Sequence, residues 1–361
     1  MQSLGINIGS SSIKAVLLED SKVLWSASVA HEGNFFETLK AILLENNVAP
    51  GVLSLVTGTE GRYLINMNNV LESICIEEAL AQLNLNVDAV VSLGGENFVV
   101  YTIDENARII TSFAGNKCAS GTGEFFKQQL GRMDLRLHDV ANVPDSAKVC
   151  HMSSRCSVFM KSDCTHKLNK GEATKADIVL SLSDVMATKV VDFLKRARIS
   201  TGKVLLAGGV TRNKYIIRFV KEKMPDIEII VPEEAPYFEA FGAAHLARTS
   251  GSQFPGIGNL FKPQVIDFAR YKSLKTAEGK VNYLKSRRGT ARPGGEYILG
   301  VDGGSTTTKV ALIDIENDEI VASHYGRTHG DPVNALKECL IEVKKQLKEQ
   351  IGDAKINITL A

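Results

Sequence analysis

The chain has 361 residues, 44% of them apolar and 23% charged, the composition of a soluble globular protein long enough for two or three domains. Its 42 basic and 41 acidic side chains nearly cancel, which argues against a nucleic-acid or membrane-surface footprint. No apolar run approaches the roughly 20 residues of a membrane span and no secretory signal is visible, so the expected compartment is the cytoplasm and the six cysteines read as thiols, not disulfides.

In chain order the hydrophobic pattern predicts strands at 5–7, 13–18 and 23–29, a helix at 36–46, a strand at 52–57 and a helix at 75–83. Strands at 89–93 and 98–104 follow, then helices at 123–132 and 174–197. A strand at 203–207, a helix at 213–223, a strand at 227–231 and a helix at 238–248 complete the series. This alternation is α/β with a mixed sheet.

The opening of the chain recurs near its end. Residues 4–18 read "LGINIGSSSIKAVLL" and residues 299–313 read "LGVDGGSTTTKVALI". Without gaps, Gly5, Gly9, Ser10 and Lys14 fall on Gly300, Gly304, Ser305 and Lys309. A second strand and a helix follow in both, which indicates a duplicated domain. The later copy holds two strands, one helix and the start of a third strand, too little to bury a core. The expected organisation is a complete domain over 1–249, a Gly/Pro/Arg-rich linker over 250–296 and a truncated second domain over 297–361.

Three glycine turns occur in order: "NIGSSSIK", "VVSLGGENFVVYTID" and "VLLAGGVTRNKYI". A glycine lets the backbone approach a phosphate, and nearby hydroxyls and amides donate to it. Singly, each is more often a tight turn. In this order and spacing they resemble the actin/hexokinase/heat-shock-chaperone ATPase superfamily. The resemblance implies duplicated, ribonuclease H-like mixed sheets flanked by helices, with Mg-ATP between them. It would assign ATP contacts to Gly9, Ser10, Ser11, Ser12, Lys14, Gly94, Gly95, Gly121, Thr122, Gly123, Gly208, Gly209 and Asn213.

Two cysteine stretches narrow the family. "NKCASGTGEFF" and "SSRCSVFMKSD", together with "TGTEGR" and "GGVTRN", resemble the 2-hydroxyacyl-CoA dehydratase activators, the BadF/BadG/BcrA/BcrD-type ATPases. In that family each subunit of a homodimer gives two cysteines to one shared 4Fe–4S cluster, and by motif match these are Cys118 and Cys156. Two thiolates cannot complete a cluster that takes four, so a second subunit or domain is implied, as is an acceptor iron–sulfur dehydratase or reductase. Cys118 precedes a predicted helix start, where a thiolate is favoured. Cys75 and Cys339 sit in helical patterns and read as small apolar side chains. Cys150 and Cys164 have spacings that fit neither ferredoxin nor zinc-ribbon runs, and they stay unassigned.

The first copy departs from the superfamily where charge matters most. Members carry an Asp in each phosphate hairpin to organise Mg²⁺ and water. Here the positions hold Asn7 and Ser92, whereas the second copy holds Asp302. Glu96 and Glu60 are the nearby carboxylates that could substitute. The expectation is an ATP-dependent electron-transfer activator in which the first copy holds the cluster and Asp302 serves hydrolysis in the second. A regulatory module without turnover and a small-molecule kinase of the same fold are the alternatives.

Overall fold

The computed structural model describes residues 1–114, 122–153, 156–262, 274–282 and 288–360. They fall into two compact units, the first comprising Met1–Leu130, Arg136–Lys161 and Ala176–Gln264, the second Gly131–Leu135, Ser162–Lys175 and Val265–Ala361.

In chain order the first 264 residues form β1 (Gln2–Ile8), β2 (Ser12–Glu19), β3 (Lys22–Ala30), α1 (Phe35–Glu45), β4 (Leu53–Gly58), α2 (Glu72–Gln82), β5 (Ala89–Leu93), β6 (Phe98–Ile103) and β7 (Ile109–Ala114). Then come α3 (Gly123–Arg132), α4 (Ser157–Asn169), α5 (Lys175–Arg196), β8 (Gly202–Ala207), α6 (Lys214–Lys223), β9 (Ile227–Ile230), α7 (Phe238–Ser250) and β10 (Ser252–Gln253). Strands β1 and β2 are buried on both faces, which is why their sequences are apolar without alternation. Leu39, Ile42 and Leu43 put one apolar face of α1 inward, and Asn34 caps that helix through the Glu37 amide.

The first unit holds two sheets of the same plan. One runs β10-β4-β1-β2-β3 and the other β7-β6-β5-β8-β9. In the first, β1 is antiparallel to β2 and parallel to β4. In the second, β5 is antiparallel to β6 and parallel to β8. These are the duplicated mixed sheets that the sequence implied. Between them lie α2 and α7, whose Ile76, Leu80, Phe238 and Phe241 share a core with Val16 and Leu18 of one sheet and Val90 and Leu205 of the other. The approach is close. A Cβ on Gly5 would run into the Ala240 carbonyl of α7, and a Cβ on Gly242 into the Cys75 carbonyl of α2.

The second unit repeats the plan again. Strands β11 (Glu296–Gly303), β12 (Thr307–Asp314), β13 (Glu319–Arg327) and β14 (Asn357–Leu360) order as β13-β12-β11-β14, with α8 (Pro332–Ile351) before β14. Here β12 alternates between buried and half-buried, as a sheet covered on one face does. Cys339 and Val343 of α8 cover Val310 and Leu312.

Several elements differ from the expectation. Helix α2 begins at Glu72, a turn earlier than the apolar pattern suggests. Helix α4 carries Val158 and Phe159 exposed, so its apolar residues do not gather on one face and the pattern gave no helix. Strand β7 is a short sheet edge with a mixed pattern. Residues read as linker by composition are partly built into the first unit: β10 pairs with β4, and Phe254 and Leu260 are buried among Ile8, Leu39 and Ile65. Among the described residues no helix is long and apolar enough to cross a membrane.

Candidate functional site

Three hairpins close alike. The amide of Gly9 donates to the Ser12 carbonyl at 3.0 Å, that of Gly94 to Asn97 at 2.8 Å, and that of Gly304 to Thr307 at 3.0 Å. The strands that follow each first pair also end alike. Gly58 at the end of β4 has φ of 111° and Gly208 after β8 has φ of 94°. Only glycine adopts these values without strain, and a Cβ would strike the Ile8 carbonyl in one case and the Leu93 carbonyl in the other.

The first two hairpins face each other so closely that a Cβ on Gly95 would collide with Ser11 Oγ. His31 fixes the first hairpin from behind. Its Nδ1 accepts from Gly33 N–H at 3.1 Å, which leaves Nε2 to donate to the Gly9 carbonyl at 3.0 Å. Helix α3 starts on the second hairpin. Gly123 N–H donates to the Gly94 carbonyl at 3.3 Å and Glu124 N–H to the Gly95 carbonyl at 2.9 Å. Thr122 Oγ1 accepts from Phe125 N–H, a helix-capping arrangement.

Between the hairpins and the third glycine turn is a cleft of about 680 Å³, lined by Ser11, Ser12, Gly95, Gly123, Gly209 and Asn213 of the expected ATP set, with Arg212 and Lys214 adding positive charge. The size suits a nucleotide. Asn213 also caps α6, accepting from Tyr215 N–H at 3.0 Å and donating to Ser183 Oγ at 3.0 Å. Gly121 lies outside the described residues. Ser10 flanks Ser11 in the first turn, while Gly94 and Gly208 shape the backbone behind the cleft.

Behind the hairpins is a charged cluster that the sequence did not single out. Asn7 is 2% exposed and stands opposite Lys14 across β1 and β2. Glu72 of α2 lies beside it. Asn7 Oδ1 has no partner. Ser92 Oγ donates at 2.7 Å to Oε1 of Glu239, a buried carboxylate of α7. Burial pushes the Glu72 carboxyl up to about 7, and the Glu239 charge pushes it the same way; Lys14, the neighbouring Asn7 side chain and Arg62 oppose. Glu96 lies exposed on the second turn, and the Glu60 side chain is outside what is described.

Cys118 is outside the described residues, and Cys156 is half-buried at the start of α4, its carbonyl accepting from Met160 N–H at 3.0 Å. Cys164 and Cys75 are buried, and burial pushes both thiols up to about 12. Among the described residues no group of three His, Cys, Asp or Glu side chains is placed to hold a metal ion. In the second unit, Lys309 Nζ donates to Asp302 Oδ2 at 2.6 Å beside a shallow groove lined by Arg288 and Tyr325.

Duplicated mixed sheets, with paired glycine hairpins facing across a nucleotide-sized cleft, define an actin-like ATPase fold. The chain belongs to the BadF/BadG/BcrA/BcrD ATPase family, whose model matches residues 4–247. It is 28% identical over 251 residues to the (R)-2-hydroxyglutaryl-CoA dehydratase activating ATPase of Acidaminococcus fermentans, covering 67% of this chain and 95% of that one. Component A of the (R)-2-hydroxyglutaryl-CoA dehydratase of the same organism, a crystal structure, superposes with a TM-score of 0.61 at 25% identity, over 69% of this chain and 99% of that one. The activator of the 2-hydroxyisocaproyl-CoA dehydratase of Clostridium difficile, solved with bound ADPNP, gives a TM-score of 0.62 at 22% identity, over 79% of this chain and 100% of that one.

Proposed function

We propose that the protein is an ATP-dependent activator that passes an electron, through a 4Fe–4S cluster, to a partner dehydratase or reductase acting on an acyl-CoA or a similarly hard-to-reduce substrate. The observation that carries this reading is the anchoring of α3. Its first two amides bond to the second hairpin, and the "NKCASGTG" stretch leads into it. A shift of that hairpin with nucleotide state moves the helix that follows Cys118. The relatives' roles as dehydratase activators support the same reading.

ATP would occupy the cleft between the hairpins, its phosphates against the turns at Gly9–Ser12 and Gly94–Gly95, with Mg²⁺. Cys118 and Cys156 would each give a thiolate to the cluster, with two more from a second subunit or domain. Cys156 suits this, because a helix N-terminus favours the thiolate. The cluster would supply one-electron chemistry; the chain supplies nucleotide binding and positioning. Residues 1–249 would form the activator domain, and residues 297–361, which repeat its opening, would belong to a second copy in which Asp302 serves hydrolysis.

The test is anaerobic purification of the full chain, followed by iron analysis and ATPase assay. The expected result is brown protein with about four irons per dimer. Cys118→Ser and Cys156→Ser should each abolish iron binding and leave nucleotide affinity intact. Colourless protein with no iron after anaerobic reconstitution overturns the cluster.

A further inference from the structure

The two hairpin positions that lack an acid, Asn7 and Ser92, are each met by a carboxylate from a helix. Glu72 lies beside Asn7, and Ser92 donates to Glu239 at 2.7 Å. The convergence follows from the packing of α2 on α7. Gly242 meets the Cys75 carbonyl, and Glu239 and Glu72 lie three residues, one turn, before these contact points. A larger residue at 242 would hold the helices apart and separate the acids.

Two carboxylates drawn to one point repel each other; the buried Lys14 and Arg62 offset part of that, and a cation bound between the acids would offset the rest. A further buried group points to that cation. Asn7 Oδ1 is without a partner, and it lies, with Lys14 Nζ, against Gly9 at the first phosphate turn. An orphaned amide oxygen and two carboxylates are the hard oxygen donors that Mg²⁺ takes. Glu72 also lines a solvent-open groove with Gly58 and Arg62, so its carboxylate is reachable. The donor set therefore fits the ion.

We propose that Glu72 and Glu239, with Asn7 Oδ1, hold the magnesium of the nucleotide in the first copy. They stand in for the hairpin acids that Asn7 and Ser92 replace. The charge has moved from two strands to the two helices behind them, and the first copy keeps a complete ATP site. This rests on the reading that the cleft binds ATP.

The experiment measures the affinity of the full chain for ADPNP by calorimetry, with Mg²⁺ and with EDTA, and Mn²⁺ uptake by electron paramagnetic resonance. Wild type should bind ADPNP more tightly with the metal and take up Mn²⁺ with it. Glu72→Gln combined with Glu239→Gln should keep the EDTA affinity and lose about tenfold or more of the metal-dependent gain. Returning the charges to the strands, as Ser92→Asp with Glu239→Gln and Asn7→Asp with Glu72→Gln, should restore it. These pairs conserve charge and serve where the double glutamine variant does not fold. A gain that persists in the double glutamine variant, or that stays lost in the relocated pairs, overturns the proposal. Absence of ADPNP binding by wild type in both conditions overturns the ATP reading itself.

Discussion

Asp302 Oδ2 and Lys309 Nζ meet at 2.6 Å across β11 and β12, in the register that sets Asn7 opposite Lys14 across β1 and β2. The two positions differ in burial: the Asp302 side chain is 64% exposed, Asn7 2%. An exposed ion pair contributes at most about 1 kcal/mol, so Asp302→Asn should leave the stability to denaturant within that margin. Asn7→Asp should behave otherwise. It adds a third acid beside Glu72 and Glu239 and should destabilise the metal-free protein by roughly 2–3 kcal/mol, with Mg²⁺ and ADPNP restoring much of it. Denaturant midpoints of both variants, with and without Mg-ADPNP, check the contrast.

Gly242→Ala should destabilise the protein by about 2–3 kcal/mol, because the new methyl must displace the Cys75 carbonyl and with it the α2 backbone. Gly131→Ala is the control. It lies in the last turn of α3 with nothing within 4 Å of a Cβ, and alanine there should be neutral or stabilising by up to about 1 kcal/mol. Thermal melts of the two variants give the comparison.

The cysteines should separate by reactivity. Cys75 and Cys164 are buried and their thiols are pushed up to about 12, so iodoacetamide should modify them slowly at neutral pH in the native protein. Cys150 and Cys156 are half-buried and should react first in iron-free protein. Peptide mass spectrometry over a time course reads the order. Fast labelling of Cys164 would give that residue a role its burial argues against.

His245 of α7 is buried against Phe241, ring centroids 4.7 Å apart. Burial, and then the Arg248 charge, hold its pKa below the ordinary histidine value. The unfolded chain therefore binds the proton more readily. The stability from neutral His245 is present above about pH 6.5 and is lost as pH falls toward the folded value. His245→Phe should reduce the loss of stability between pH 7 and pH 5, measured by urea denaturation at each pH.

Much of the fold was legible because its signals are local. The glycine turns at Gly9, Gly94 and Gly304 mark the hairpins, and the gapless match of residues 4–18 with 299–313 matches the shared register of β1–β2 and β11–β12. Glu72 and Glu239 were illegible for the opposite reason. They lie 65 and 147 residues from Asn7 and Ser92. Only the contact of α2 with α7, set by Gly242, brings them to the same point. Proximity in sequence suggested Glu96, but that side chain is exposed on the turn. His31 was missed because a lone histidine after a strand carries no pattern; its role appears only in its bonds to Gly9 and Gly33.

The thrice-used strand plan has a consequence for how the chain acquires its structure. In each sheet the first three strands are joined by short turns and can pair as they emerge. The fourth must return from afar: β4 pairs with β1 across about 50 residues, and β8 with β5 across 115. Loop closure over such separations is slow compared with hairpin formation. Each sheet is therefore expected to begin as a three-stranded meander whose first strand presents an open edge. That edge, on β1, β5 or β11, has the same shape each time, so a returning strand can meet a copy of its proper partner and pair out of place.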